Sequence, residues 1–178
     1  VMAFGFDISD AVNYSGDNVL FVRIDNSWKY REHTTGSTYQ WNDRNFNANY
    51  GGIPRNVFLH VTPRLYQTLP LYSNLQTTGT YIYAREIDIT NRSAMIFAES
   101  QVRNEFPVEK TVNMEVVIED MDGKILKSFK TKDKKMAAGD TTTFRIGKNV
   151  SGLHFWSWGY GYLYNVYTTL NVDGKAVD

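Results

Sequence analysis

The stretch Thr111-Val112-Asn113-Met114-Glu115-Val116-Val117-Ile118 decides the fold. Val112, Met114, Val116 and Ile118 recur at every second position, the period of a strand with one apolar face. The same period appears at Thr142, Phe144 and Ile146, at Ala94, Ile96, Ala98 and Val102, and at Tyr162, Tyr164, Val166, Leu170 and Val172. Asp122-Gly123 and Asp173-Gly174 punctuate these runs, and both dipeptides favour the type I′ turns of tight hairpins. About seven short strands of this kind fit the last hundred residues, as in a β-sandwich of immunoglobulin-like size. No segment carries a helical face, so the chain reads as all-β.

Working back toward the start, Phe4, Phe6 and Ile8 alternate, 18–24 holds the run Val19-Leu20-Phe21-Val22, and Val57, Leu59 and Val61 alternate again. Three strands bury little by themselves. The composition changes near residue 65: Lys29 is the only lysine before it, while asparagine and aromatic residues crowd the first part. Pro63, Pro70 and Gln76-Thr77-Thr78-Gly79 mark the boundary stretch, giving modules of residues 1–65 and 66–178. Residues 27–52 have no period and are rich in Trp, Tyr, Asn, Gly and Thr. Aperiodic segments of that length in compact domains are usually functional or disordered, and the aromatic content argues for function.

Composition closes several alternatives. With 178 residues the chain is too short for a (β/α)₈ barrel, which needs about 250. The formal net charge is zero, so bulk charge recruits neither nucleic acid nor an anionic membrane. Absence of cysteine excludes disulfides and thiol nucleophiles and leaves periplasm and cytoplasm equally open. No apolar run approaches the roughly 20 residues of a membrane span, and Val1-Met2-Ala3-Phe4 does not start a signal peptide. His33, His60 and His154 lack ligand spacing, so no metal or cofactor is expected. The acid pairs Asp7 with Asp10 and Glu119 with Asp120 read as turn or strand-end residues. Lys127, Lys130, Lys132, Lys134 and Lys135 read as protection of an exposed edge strand. Trp156, Trp158, Tyr160, Tyr162 and Tyr164 read as core plus an inter-domain contact, with a sugar platform as the alternative.

Three stretches taken together resemble glycoside hydrolase family two, which includes β-galactosidases, β-glucuronidases and β-mannosidases. Phe6-Asp7-Ile8-Ser9-Asp10 with Gly16-Asp17-Asn18-Val19-Leu20-Phe21-Val22-Arg23-Ile24-Asp25-Asn26 is similar to the end of that family's sugar-binding jelly roll. Gly52-Ile53-Pro54-Arg55-Asn56-Val57-Phe58-Leu59 looks like its G-I-[YFH]-R-[DN]-V-x-L signature. Trp156-Ser157, Tyr162-Leu163-Tyr164 and Asp173-Gly174-Lys175 resemble the close of its immunoglobulin-like domain, with Gly161 where the family usually has proline. The resemblance implies a piece that begins inside the jelly roll, runs through the sandwich and stops before the catalytic barrel. The family's two catalytic glutamates lie on that barrel, so no residue of this chain inherits a catalytic role and the piece alone should be inactive.

The implied partners are carbohydrate and the missing barrel of the same polypeptide. Open edges of the partial jelly roll call for a cover, which a homo-oligomer or the sandwich could supply. The family places a polar side chain of the loop before the signature against the sugar; here the candidates are Asn45 and Asn47, then Asp43 and Asn49. Asparagine suits a sugar hydroxyl because one planar group offers donor and acceptor, although the same group also satisfies turns. A different class of protein, a stand-alone carbohydrate-binding or adhesive sandwich, shares the pattern and would be marked by a reading frame that stops near Asp178.

Overall fold

A computed structural model describes residues 4–24, 52–53, 55–70 and 75–178. Contacts divide the chain into a unit of residues 1–7 with 61–178 and a second of residues 8–60.

The larger unit is a two-sheet sandwich. In chain order its strands are β1 (Leu65–Gln67), β2 (Thr80–Asp88), β3 (Ser93–Asn104), β4 (Lys110–Glu119), β5 (Ile125–Lys130), β6 (Lys134–Met136), β7 (Thr141–Ser151), β8 (Asn165–Val172) and β9 (Lys175–Ala176). One sheet is built on β3, which pairs with β1 and β2 along one side and with β7 along the other. The other is built on β4, flanked by β5 and β6 on one side and by β8 on the other, with β9 beyond β8. Every pairing is antiparallel. Among the described residues no helix of membrane-spanning length and polarity occurs.

The alternation in β4 becomes burial: Val112, Met114, Val116 and Ile118 lie between the sheets with at most 2% of their surface exposed. They meet Ala94, Ala98 and Val102 of β3, Phe144 and Val150 of β7, and Leu170 and Val172 of β8 in one core cluster. Each fully buried side chain of this size contributes about 1.5–3 kcal/mol. Lys127, Lys130, Lys134 and Lys135 fall on β5 and β6, the outer strands on one flank of β4. Their charge protects an open edge, as the sequence suggested.

The two Asp-Gly turns differ. Asp173 and Gly174 both take positive φ, 49° and 81°, the type I′ geometry expected between β8 and β9. At Asp122-Gly123 only Gly123 does so, at 79°. There the Gly123 N–H donates to the Asp120 carbonyl and the register shifts after Ile118, so a wider turn ends in a bulge instead of the expected I′ hairpin. Asp120 explains the preference, since its Oδ1 accepts from the N–H groups of Asp122 and Lys124.

Strand β1 lies inside the Pro63–Gly79 stretch read as a boundary, and its Leu65 is fully buried. Three residues between prolines carry too little period to be seen. Polar residues inside the sandwich also escaped the apolar pattern. Asn104 is fully buried at the end of β3; its Nδ2 donates to the carbonyls of Val108, Met136 and Ala137, and its Oδ1 accepts from Phe106 N–H. Gln67 Oε1 accepts from Ser100 of its own sheet and from Thr168 of the opposite one, at 2.9 and 2.8 Å.

In residues 8–60 the described backbone is turns, bends and chain without regular secondary structure. Asn18 ties a local turn, accepting from Asn13 N–H and donating to the carbonyls of Asn13 and Gly16. The strands expected at 4–8, 18–24 and 57–61 are not assigned there among the described residues. A strand needs a neighbouring backbone to close its ladder, and the pattern alone does not supply one. Val19, Leu20 and Phe21 are 95%, 74% and 87% exposed, and Val57, Phe58 and Leu59 are exposed as well.

Candidate functional site

Asn45, Asn47, Asp43, Asn49 and His33 lie outside the described residues. His60 is exposed, with its ring 6.2 Å from that of Phe58. Among the described residues no group of three His, Asp or Glu side chains converges as metal ligands would. The acid pair Glu119 and Asp120 ends a strand and opens a turn, with Asp120 holding backbone N–H groups.

The most organised exposed constellation is the segment 152–164 between β7 and β8. Ser157 and Tyr160 exchange two backbone hydrogen bonds of 2.9 Å around Trp158-Gly159, where Gly159 supplies the positive φ of 76° that the tight turn needs. Below the turn, His154, Tyr160 and Tyr162 stack: ring centroids are 4.7 Å apart for His154 and Tyr162 and 5.9 Å for Tyr160 and Tyr162. The Tyr164 hydroxyl accepts from His154 N–H and donates to the His154 carbonyl. Burial, together with Asp120 nearby, raises the phenol of Tyr162 above its ordinary range.

Arg92 locks this segment to the turn between β2 and β3. Its Nε donates to the Leu153 carbonyl at 2.8 Å, its Nη2 reaches the Gly152 carbonyl and His154 Nε2, and its own carbonyl accepts from Leu153 N–H. Arginine can only donate, so His154 Nε2 accepts and Nδ1 carries the hydrogen toward the Tyr160 hydroxyl, 3.1 Å away. Arg92 holds a left-handed backbone, φ 53°, which costs a non-glycine residue about 1–3 kcal/mol. The contacts with 152–154 offset that strain.

Of this run, expected as core plus an inter-domain contact, Tyr164 packs against the core, whereas Trp156 is 65% exposed and Trp158 96% and neither belongs to it. Only Tyr162 and Tyr164 are half-buried. Gly161, where the related pattern has proline, lies under the Trp156 indole, whose Nε1 would stand 3.5 Å from an added Cβ. At the root of the segment an apolar cleft of about 220 Å³ is lined by Ile82, Ile96, Ile118, Leu153, Tyr164 and Val166 among others.

A second aromatic cluster covers the outer face of the β3 sheet. Tyr83 and Phe97 stack at 5.2 Å, Arg85 and Arg145 lie over the rings, and Tyr83 donates to Glu99 at 2.6 Å. The bond to the Glu99 carboxylate, with burial second, raises the Tyr83 phenol. Phe97 lies across Gly147 of β7, and its ring faces are covered by neighbours, which makes this cluster a brace for the sheet.

A family model described as glycosyl hydrolases family 2 matches residues 80–178. A beta-glucuronidase of Formosa agariphila is 32% identical over 177 residues, which is 98% of this chain and 17% of that protein. Among solved structures, a beta-glucuronidase from glycoside hydrolase family 2 superposes with a TM-score of 0.86 at 31% identity, over 99% of this chain and 18% of its own. A Bacteroides uniformis beta-glucuronidase shares the fold over 66% of this chain and 14% of its own, with a TM-score of 0.57 and 24% identity. The chain thus spans about one sixth of the length of the first two relatives.

Proposed function

The chain belongs to glycosyl hydrolases family 2, and from that premise we propose that it is the non-catalytic portion of a glycosidase that cleaves terminal β-linked sugars. Residues 1–65 are the end of a sugar-binding jelly roll and 66–178 the sandwich that follows it; the reacting carboxyls come from a barrel outside these residues. A β-glucuronide is the first substrate to try, because both relatives at 31–32% identity are beta-glucuronidases. The observation that carries the reading is the family match over 80–178 in a chain that amounts to 17% of its relative.

The loop asparagines Asn45 and Asn47, with Asp43 and Asn49 beside them, contact the sugar in the barrel's pocket. Each neutral hydrogen bond there is worth about 1–1.5 kcal/mol, so Asn45→Ala or Asn47→Ala in the full-length enzyme lowers kcat/KM about tenfold. Steady-state kinetics with chromogenic β-glucuronide and β-galactoside provide the check. Unchanged kinetics with a lowered Tm would make the asparagines turn residues. Residues 1–178 alone should turn over neither substrate, and a contaminant-free preparation that does would overturn the assignment. A reading frame that stops near Asp178 would point instead to a stand-alone sugar-binding module.

A further inference from the structure

Two Asp-Gly bonds lie at hairpin tips of one sheet, Asp122-Gly123 between β4 and β5 and Asp173-Gly174 between β8 and β9. Glycine has no Cβ to shield its nitrogen from the preceding side chain, so these bonds are open to a spontaneous reaction that other peptide bonds resist. The glycine nitrogen attacks the aspartyl Cγ. An N–Cγ bond forms, the nitrogen loses its hydrogen and the carboxyl its hydroxyl, and water leaves a five-membered imide. Water then opens the ring: addition at Cγ restores aspartate, and addition at the main-chain carbonyl gives isoaspartate, whose backbone runs through the former side chain. Water is the only co-reactant, and the net change is an isomerisation. The carboxyl must be free to turn toward the nitrogen and to shed a hydroxyl, which an ion-paired carboxylate does poorly.

We propose that Asp122 is a site of spontaneous isomerisation to isoaspartate, and that the ion pair with Lys110 spares Asp173. Asp173 Oδ2 accepts from Lys110 Nζ at 3.0 Å and its Oδ1 from Thr111 N–H at 3.4 Å, so both oxygens are turned back toward β4. The Lys110 hydrogen bond, and then that of Thr111, hold this carboxyl below the usual carboxylate range. The backbone is held as well, with Asp173 N–H on the Thr111 carbonyl and Val172 paired with Lys175 across the turn. Asp122 is exposed, and among the described residues its carboxylate accepts no hydrogen bond and makes no ion pair. Space does not separate the two turns, since a Cβ added at Gly123 or at Gly174 would meet no atom within 4 Å. What holds the first is Asp120, whose Oδ1 takes the N–H groups of Asp122 and Lys124 and whose carbonyl takes Gly123 N–H at 3.1 Å. The attacking nitrogen must leave that neutral bond, whereas charge-assisted bonds of the kind that hold Asp173 are roughly twice as strong. Isoaspartate would add a backbone carbon at position 122 and displace the N–H groups that Asp120 gathers, so the tip of the β4–β5 hairpin loosens while the β8–β9 tip keeps its form. The inference does not depend on the glycosidase reading.

Ageing the full-length polypeptide in warm neutral buffer made with oxygen-18 water tests the assignment, because every ring opening leaves one heavy oxygen in the product. Digestion in ordinary water with trypsin, which cuts after Lys110, Lys124, Lys148 and Lys175, places the two bonds in separate peptides, 111–124 and 149–175. Mass spectrometry reads the heavy oxygen, and an isoaspartate-specific methyltransferase reads the isomer. Label and isoaspartate should accumulate in 111–124 about tenfold faster than in 149–175, the factor that one retained hydrogen bond supplies. In the guanidinium-unfolded chain the two rates should agree within about twofold, since the dipeptides are the same. Asp122→Glu, whose longer side chain does not close the five-membered ring, should abolish the signal in 111–124. Lys110→Met should raise the signal in 149–175 about fivefold by freeing the Asp173 carboxyl. Equal rates in the folded protein, a faster reaction at Asp173, or no label in either peptide overturns the proposal. So does label in 111–124 that survives Asp122→Glu, and an unchanged rate at Asp173 in Lys110→Met removes the ion pair as its protection.

Discussion

Strand β4 and residues 18–24 carry apolar side chains of comparable size and have opposite surroundings. Val116 is fully buried, while Val19 is 95% exposed. Strand β4 is hydrogen-bonded on both sides, to β5 and β6 and to β8, and the β3 sheet covers its apolar face. No ladder is assigned to 18–24 among the described residues. An apolar residue therefore stabilises through what covers it, and the pattern measures only the capacity to be covered.

The largest effect that would break this contrast comes from a carboxylate in the core. Val116→Asp buries an unpaired charge and should abolish the cooperative thermal transition of the sandwich, because such a charge costs several kcal/mol. A folded variant with a Tm near that of the parent would show that β4 is not the centre of the core. Asn104→Ala comes next, at about 3 kcal/mol, since it leaves three carbonyls and an N–H without their partner. Urea unfolding checks the value. Asn104→Asp should cost more at neutral pH, because a carboxylate cannot donate to those carbonyls.

Gly147→Ala sharpens the comparison on the outer face. The added Cβ would stand 2.4 Å from Phe97 Cε1, which predicts a loss of about 1–3 kcal/mol. In a double-mutant cycle Phe97→Ala should recover part of it; simple additivity would show that the ring does not meet that position. Smaller still is a pH effect. Burial and the hydrogen bond to Glu105 push the Tyr66 phenol up to about 12. The unfolded chain releases this proton near pH 10 while the folded one keeps it, so the contribution is full below pH 10 and lost between 10 and 12. Tyr66→Phe should flatten the stability profile in that window alone. At the bottom of the scale, Val19→Asp should shift the unfolding free energy of residues 1–178 by no more than about 0.5 kcal/mol. A larger loss would mean that Val19 is covered in solution.

Much of the sandwich was legible. The period of two located β4, β7 and β8, the Asp-Gly pairs located two hairpins, and the lysine-rich stretch located an edge. What escaped were elements whose signal is too short or of the wrong chemical kind. Strand β1 has three residues between prolines, and Asn104 and Gln67 stand inside as polar side chains whose partners come from distant strands. The aromatic run 156–164 does not show in its sequence which members join the core: Tyr164 packs against it, while the turn at 157–160 leaves Trp156 and Trp158 exposed. Of the expected sugar contacts, Asn45, Asn47, Asp43 and Asn49 fall outside the described residues, and their role stands as the proposal made above.

The amino-acid sequence by itself determined the strand period, the turn positions, the neutral charge and the family, because each is a property of near neighbours or of a short motif. Tertiary structure alone decided which apolar faces are covered, which polar groups find partners, and which aromatics face water. Those outcomes depend on backbone and side chains brought together from positions tens of residues apart, such as Gln67 with Thr168 or Arg92 with His154. No local pattern encodes a partner at that separation.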